Sequence, residues 1–211
     1  MHKVRDLLPL YFVMGSPNCG RDPRHVLREA IQGGVTLFQF REKGIGCLGD
    51  LEKRELAKDL QKICREYSIP FIVNDDVGLA MELDADGVHI GQEDRSIEVV
   101  RKMIGNKILG VSAHTVEEAE VAVAKGADYL GVGPMYHTTT KLDTRQVQGP
   151  ELIRKIRNAG ITIPIVGIGG ISSTSVKIVI HHGADGVAII SAISQADSPR
   201  IAAQHLMSKM K

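Results

Sequence analysis

The sequence predicts an α/β fold, a single (β/α)8 TIM barrel spanning residues 1–211, and three observations lead there. Eight short apolar runs recur along the chain, segments with apolar residues at three-to-four spacing separate them, and a Gly/Asp-Ala-Asp signature returns ahead of three of the runs. Continuous apolar strands alternating with amphipathic helices describe a parallel sheet covered by helices. Eight such units favour closure into a barrel, with 211 residues near the short end of its range. An open doubly wound sheet is the alternative, but the first strand–helix junction, MGSPNCG, is not a dinucleotide-binding GxGxxG fingerprint.

In chain order the expected strands are YFVM (11–14), TLFQF (36–40), FIVN (71–74), GVHI (87–90), ILGVS (108–112), YLGVG (129–133), PIVGIG (164–169) and GVAIIS (186–191). Between them, Leu51, Leu56, Leu60 and Ile63 mark one amphipathic helix, and Val116, Ala119, Val123 and Ala124 another. Thr115 followed by Glu118 reads as a capping box, and Gly126 and Gly183 sit where helices should stop. The segments DADGVHI (84–90), GADYLGVG (126–133) and GADGVAII (183–190) look like one repeated βα unit.

Composition narrows the partners. With 26 Lys+Arg against 25 Asp+Glu the net charge is +1, so no global field recruits nucleic acid or an anionic membrane. Aromatic residues make up 4% and Trp is absent, which argues against base-stacking platforms. Cys19, Cys47 and Cys64 are widely spaced with no CxxC pair, so reduced thiols are expected rather than disulfides or a zinc site. The apolar run from Leu7 to Met14 contains Pro9 and is too short to span a bilayer, which points to a soluble, cytoplasmic protein. Oligomeric state stays open, a homo-oligomer included.

Barrel chemistry lies at the C-terminal ends of the strands. In GVTLFQFREKG, Leu37, Gln39 and Arg41 share one face, continued by Lys43, while Phe38 and Phe40 share the other. The bland alternative is a solvated strand end whose cations pair with Glu42. Strand three ends in Asn74, Asp75 and Asp76, strand four runs into Asp94, and strand five ends in Ser112 and His114. Asp75 and Asp94, at neighbouring strand ends, suit Mg2+, which retains waters and takes few carboxylates alongside phosphates; either could instead cap a helix. Beside Arg41, Lys43 and Lys141 they suggest a diphosphate site. The run GIGG (167–170), with Ile190 and Ser191 on the last strand, matches the barrel's usual phosphate site, although glycines there can also be a tight turn. The long connection GPMYHTTTKLDTRQVQGP reads as a lid with Thr138, Thr140 and Lys141 facing a ligand.

Taken together, QFREKG, IVNDD, DGVHIGQED, GVSAHT, GADYLGVGP, TTTK, IPIVGIGGI and GADGVAIISAIS closely resemble the thiamine phosphate synthase family from about Gly33 to Ser194. The resemblance implies joining of 4-amino-5-hydroxymethyl-2-methylpyrimidine diphosphate to 4-methyl-5-(2-hydroxyethyl)thiazole phosphate with release of pyrophosphate, by a dissociative route. It implies that Gln39, Arg41, Lys43, Asn74 and Lys141 hold the pyrimidine diphosphate, and that Asp75 and Asp94 hold Mg2+. Thr138, Thr140, Gly170, Ile190 and Ser191 would hold the thiazole phosphate. Ser112 would lie near the leaving group, with Arg41, Lys43 and Lys141 as the other catalytic groups. Two rivals share much of this pattern: a thiazole tautomerase, for which His114 is suitably placed, and a non-catalytic binder of thiamine phosphates. Neither needs the full diphosphate apparatus.

Overall fold

The structure is a computed structural model that describes residues 4–138 and 146–210. Eight parallel strands close into a barrel in sequence order: β1 (Leu10–Met14), β2 (Leu37–Phe40), β3 (Phe71–Asn74), β4 (Gly87–Ile90), β5 (Ile108–Ala113), β6 (Tyr129–Val132), β7 (Ile165–Ile168) and β8 (Gly186–Ile189). Closure comes from β1 against β8, where Leu10 aligns with Val187 and Phe12 with Ile189. A short helix α1 (Val4–Leu7) precedes the barrel, and α2 (Pro23–Gln32), α3 (Asp50–Glu66), α4 (Val77–Glu82), α5 (Ile97–Ile104), α6 (Val116–Ala124), α7 (Glu151–Asn158), α8 (Val176–His181), α9 (Ser191–Ser194) and α10 (Pro199–Met210) follow the strands.

Strand alternation divides the apolar residues into two layers. Phe12, Phe38, Phe40, Phe71, Val88 and Leu130 point outward and pack under the helices. Leu8, Tyr11, Val13, Leu37, Ile72, Tyr129, Val166 and Ala188 fill the barrel itself. The expected split of GVTLFQF is thus realised, with Leu37 inside and Phe38 and Phe40 outside.

Two helix expectations need correction. In α3, Leu56, Leu60 and Ile63 are buried, but Leu51 is 78% exposed. Five residues of helix turn the chain by about 140° beyond one revolution, so Leu51 cannot share the face of Leu56. In α6, Ala119 and Ala122 are buried and Ala124 is exposed, because residue 122, not 124, follows 119 on the inner stripe. The start of α6 is capped as expected by Thr115 Oγ1, which accepts the Glu118 N–H at 3.1 Å. The reciprocal Glu118 carboxylate reaches the N–H of His114 at 2.6 Å, one residue beyond the expected position. Gly126 and Gly183 adopt φ of 92° and 102°, as helix-stopping glycines do.

The repeated Asp signature has a shared structural job. Asp86, Asp128 and Asp185 each precede an even-numbered strand, and their Oδ2 atoms accept the N–H of Phe71, Leu109 and Ile165 respectively, each at 2.8 Å. Arg101 and Arg157 then clasp Asp128 and Asp185 at 2.6 and 2.7 Å while donating to nearby loop carbonyls. These staples join adjacent strands at the N-terminal end of the barrel, leaving the opposite end for chemistry. Among the described residues, no helix is long and apolar enough to cross a membrane.

Candidate active site

The C-terminal mouth of the barrel encloses a cavity of about 460 Å3. Its walls include Arg41, Lys43, Asn74, Asp75, Asp94, Ser112, Thr138, Gly170, Ile190 and Ser191, so strand ends from around the barrel converge on one space. Thr140 and Lys141 lie outside the described residues.

One side of the mouth is charged. Arg41 extends β2 by donating its N–H to the Met14 carbonyl at 2.9 Å, and only 4% of the residue is exposed. Burying a guanidinium costs several kcal/mol of lost hydration unless hydrogen-bond partners or anionic groups answer it. Lys43 Nζ lies 2.8 Å from Asp75 Oδ2. Asp75 sits at φ 60°, a left-handed conformation that Asp tolerates better than most residues, and its N–H donates to the His89 carbonyl at 2.8 Å. Asp94 Oδ2 accepts the Gly91 N–H at 2.7 Å. Burial, reinforced by the neighbouring Asp75 carboxylate, pushes the Asp94 carboxyl above its ordinary range, against the opposing pull of the Gly91 N–H and Lys43.

The loop that carries these cations is itself tied down. The Glu42 carboxylate accepts the Ser16 N–H at 2.8 Å, the Ser16 hydroxyl at 2.5 Å and the Leu48 N–H at 2.9 Å. One side chain therefore binds the loops after β1 and β2 together, directly between Arg41 and Lys43.

The opposite side is built from backbone. Gly169 and Gly170 have φ of 97° and 65°, and Ser191 opens the short helix α9 after β8. Gly170 is needed for packing as well as for conformation: a Cβ there would lie 2.5 Å from the His137 carbonyl oxygen and 2.8 Å from Tyr136 Cβ. The glycine turn thus seats the loop after β6 that presents Thr138.

Gln39 is placed differently from the other expected residues. It is 4% exposed, one inward-facing position below Arg41, and its Nε2 donates to the Tyr11 hydroxyl at 2.6 Å. It stands beneath the cavity rather than among the side chains that enclose it.

Residues 10–193, a span containing all eight strands, match the family described as thiamine monophosphate synthase. The chain belongs to that family. The match begins one strand earlier than the resemblance legible from Gly33 onward. A thiamine-phosphate synthase of Geobacillus kaustophilus is 58% identical over 204 residues, covering 97% of this chain and 92% of that protein. A thiamine-phosphate synthase of Bacillus cereus is 57% identical over 209 residues, covering 99% and 95%. Among solved structures, thiamine phosphate pyrophosphorylase from Pyrococcus furiosus superposes with a TM-score of 0.87 at 38% identity, over 98% of this chain and 97% of that one.

Several cavity residues carried no sequence-based expectation. His89 lines the floor, and Gln92, whose Nε2 donates to the Ser112 carbonyl at 2.5 Å, lines the wall beside Glu93. A signal for His89 exists in the sequence. It alternates with Val88 and Ile90 in GVHI and so must face the barrel interior, where an imidazole needs polar partners.

Proposed function

We propose that the chain is a thiamine-phosphate synthase that joins 4-amino-5-hydroxymethyl-2-methylpyrimidine diphosphate to 4-methyl-5-(2-hydroxyethyl)thiazole phosphate and releases pyrophosphate. The observation that carries this reading is one cavity with two unlike sides, Arg41 and Lys43 with two carboxylates on one and the Gly169–Gly170 turn with Ser191 on the other. A diphosphate needs the first and a monophosphate suits the second.

The chemistry asks little of acid–base groups. The thiazole nitrogen already has a lone pair, so no proton must be removed before it attacks. In the dissociative route pyrophosphate leaves the pyrimidine methylene, the ring amino group stabilises the resulting cation, and the nitrogen captures it. The chain's own task is to hold the two substrates in line and to meet negative charge as it grows on the leaving oxygen. Arg41 and Lys43 meet it as fixed cations, and Ser112 lies between the two sides of the mouth. Lys141 is assigned to the same task by family resemblance.

Asp75 and Asp94 fit Mg2+ as two hard oxygen donors whose mutual repulsion a divalent cation would relieve. When bound there, Mg2+ would supply positive charge against the diphosphate and its departure. Mixing both substrates with Mg2+ and following pyrophosphate and thiamine phosphate together tests the reading, and one-to-one formation of the two is expected. One observation favours a second reading, a tautomerase: the His114 ring lines the cavity with Nδ1 2.6 Å from the Gly133 carbonyl, a fixed orientation suited to proton transfer. No coupling, together with isomerisation of a carboxylated thiazole phosphate alone, would select it.

A further inference from the structure

From the cavity floor down, the barrel interior contains a continuous chain of polar side chains. Gln39 Nε2 is 2.6 Å from the Tyr11 hydroxyl, which is 2.7 Å from the Tyr129 hydroxyl. The Tyr129 hydroxyl is 3.0 Å from His89 Nδ1, and His89 Nε2 is 2.9 Å from Ser112 Oγ. The residues come from β2, β1, β6, β4 and β5 in that order. Since β1 and β6 are not neighbours in the barrel, the chain crosses its interior.

The surrounding strands leave room for it. A Cβ on Gly110 would lie 2.1 Å from Tyr129 Cζ and 2.5 Å from His89 Nδ1, and one on Gly131 would lie 2.9 Å from His89 Cε1. Both glycines occupy inward positions where a barrel ordinarily places a branched apolar side chain. Filling those positions would stabilise the core by burying more apolar surface, so the polar chain occupies space that packing alone would use otherwise.

Counting protons gives the chain a direction. Gln39 Nε2 can only donate, so the Tyr11 oxygen accepts from it and the single Tyr11 proton goes to Tyr129. Burial raises both phenols above their ordinary range, which keeps each a proton donor. The single Tyr129 proton then goes to His89 Nδ1. The ring proton of His89 must reside on Nε2, and it is donated to Ser112 Oγ. With Tyr129 donating to Tyr11 instead, the Tyr11 proton would have no acceptor within the chain, which is costly for a buried donor. Having accepted from His89, the Ser112 hydroxyl retains its own proton for donation.

We propose that His89 is a positioning residue that holds the Ser112 hydroxyl as a hydrogen-bond donor to the leaving diphosphate oxygen, with the direction of donation set through Tyr129 and Tyr11 by Gln39. This inference rests on the synthase reading. No proton is transferred and no bond is made within the chain. Its contribution is that Ser112 arrives at the reaction already oriented, with its oxygen occupied, so that it need not reorganise as charge develops.

The test has two arms. In ligand-free protein labelled with 15N-histidine, His89 is identified by the signal lost in His89→Gln. Long-range 1H–15N spectra near neutral pH should show a protonated Nε2 and a bare Nδ1. Tyr129→Phe should abolish that single tautomer. An Nδ1–H tautomer or a doubly protonated ring in the wild type would overturn the ordering.

In the second arm, Tyr129→Phe preserves the ring while removing the proton directed at His89. It should lower the single-turnover rate about tenfold, the scale of one lost hydrogen bond, with KM values changed less than about twofold. In a Ser112→Ala background the same substitution should have no further effect on rate, because the hydroxyl it orients is gone. Additive losses in the double variant would overturn the positioning role. Absence of any coupling activity in the wild type would remove the leaving-group role along with the synthase reading, whereas the wrong tautomer in an active enzyme would refute only the ordering.

Discussion

At Arg41, burial and charge are in tension, for the guanidinium residue is 4% exposed at the end of a strand. On the proposed synthase reading it is held where a diphosphate would lose water on binding. Fixed charge of this kind interacts more strongly with the transition state than with the ground state, because the leaving oxygen becomes more negative as its bond breaks. Arg41→Ala should therefore lower the single-turnover rate by about 10²–10³-fold, with a smaller effect on KM. Arg41→Lys retains charge but loses the planar fork, and it should remain impaired by about 1–3 kcal/mol. Rapid-quench kinetics at saturating substrates separates these outcomes, and wild-type rates in both variants would reassign Arg41 to substrate recognition.

Asp94 gives a prediction of opposite sign for stability and for activity. Its carboxyl is raised above its ordinary value of 3.8, chiefly by burial and then by Asp75. A raised acid binds its proton more tightly in the folded state. Its unfavourable contribution is therefore absent in strong acid and develops as pH rises from about 3.8 through the folded value. Metal-free Asp94→Asn should melt above the wild type near neutral pH, with the gain shrinking as pH falls toward that range, while its activity requires more Mg2+. Thermal melts across pH with chelator, paired with Mg2+ titrations of rate, check both signs.

Between residues and the whole barrel, the glycine turn after β7 shows how an element can serve conformation and packing together. Gly170→Ala would place a Cβ in a left-handed residue and against the His137 carbonyl, so the loop presenting Thr138 must shift. The expected result is a raised KM for the thiazole phosphate, with pyrimidine diphosphate binding near normal, measured by separate titrations. Equal weakening of both ligands would mean that the two sides of the mouth are not independent. From sequence, the glycines' place after a strand was legible, but their contact with residues 136 and 137 was not, because two loops distant in sequence make it.

The same limit explains which parts of the elements could be read. Residues 71–74 and 87–90 were legible as strands to the residue, since each apolar run is bounded by polar or turn-forming neighbours. Leu51 was misread because apolar character was counted without its angular position. The Asp75 and Asp94 pair was legible because both fall at strand ends, whereas the Gln39-to-Ser112 chain was not, because its members lie on five strands and only barrel closure brings them together.

Across the whole molecule, the two ends of the barrel carry different burdens, stability at one and chemistry at the other. Asp185 tests that division. Asp185→Ala removes the acceptor for the Ile165 N–H and the partner of Arg157, and it should destabilise by about 1–3 kcal/mol per buried group left unsatisfied. Urea unfolding should show a lower midpoint, while kcat and both KM values of the folded protein stay near wild type. Altered kinetics would show that the staples also shape the mouth.

The seam between β1 and β8 has a consequence for synthesis. Leu10 to Phe12 are made early, yet one of their hydrogen-bonding edges is completed only by Val187 to Ile189. On the ribosome, β2 can cover the other edge soon after it emerges. The outer edge, flanked by Tyr11 and Phe12, must wait until the other seven strands have been translated. A partly synthesised barrel therefore carries a sticky, apolar border for most of its production time, and such borders recruit other unfinished chains. The delay before β8 emerges, rather than the stability of the finished barrel, should govern how much newly made protein is lost to aggregation.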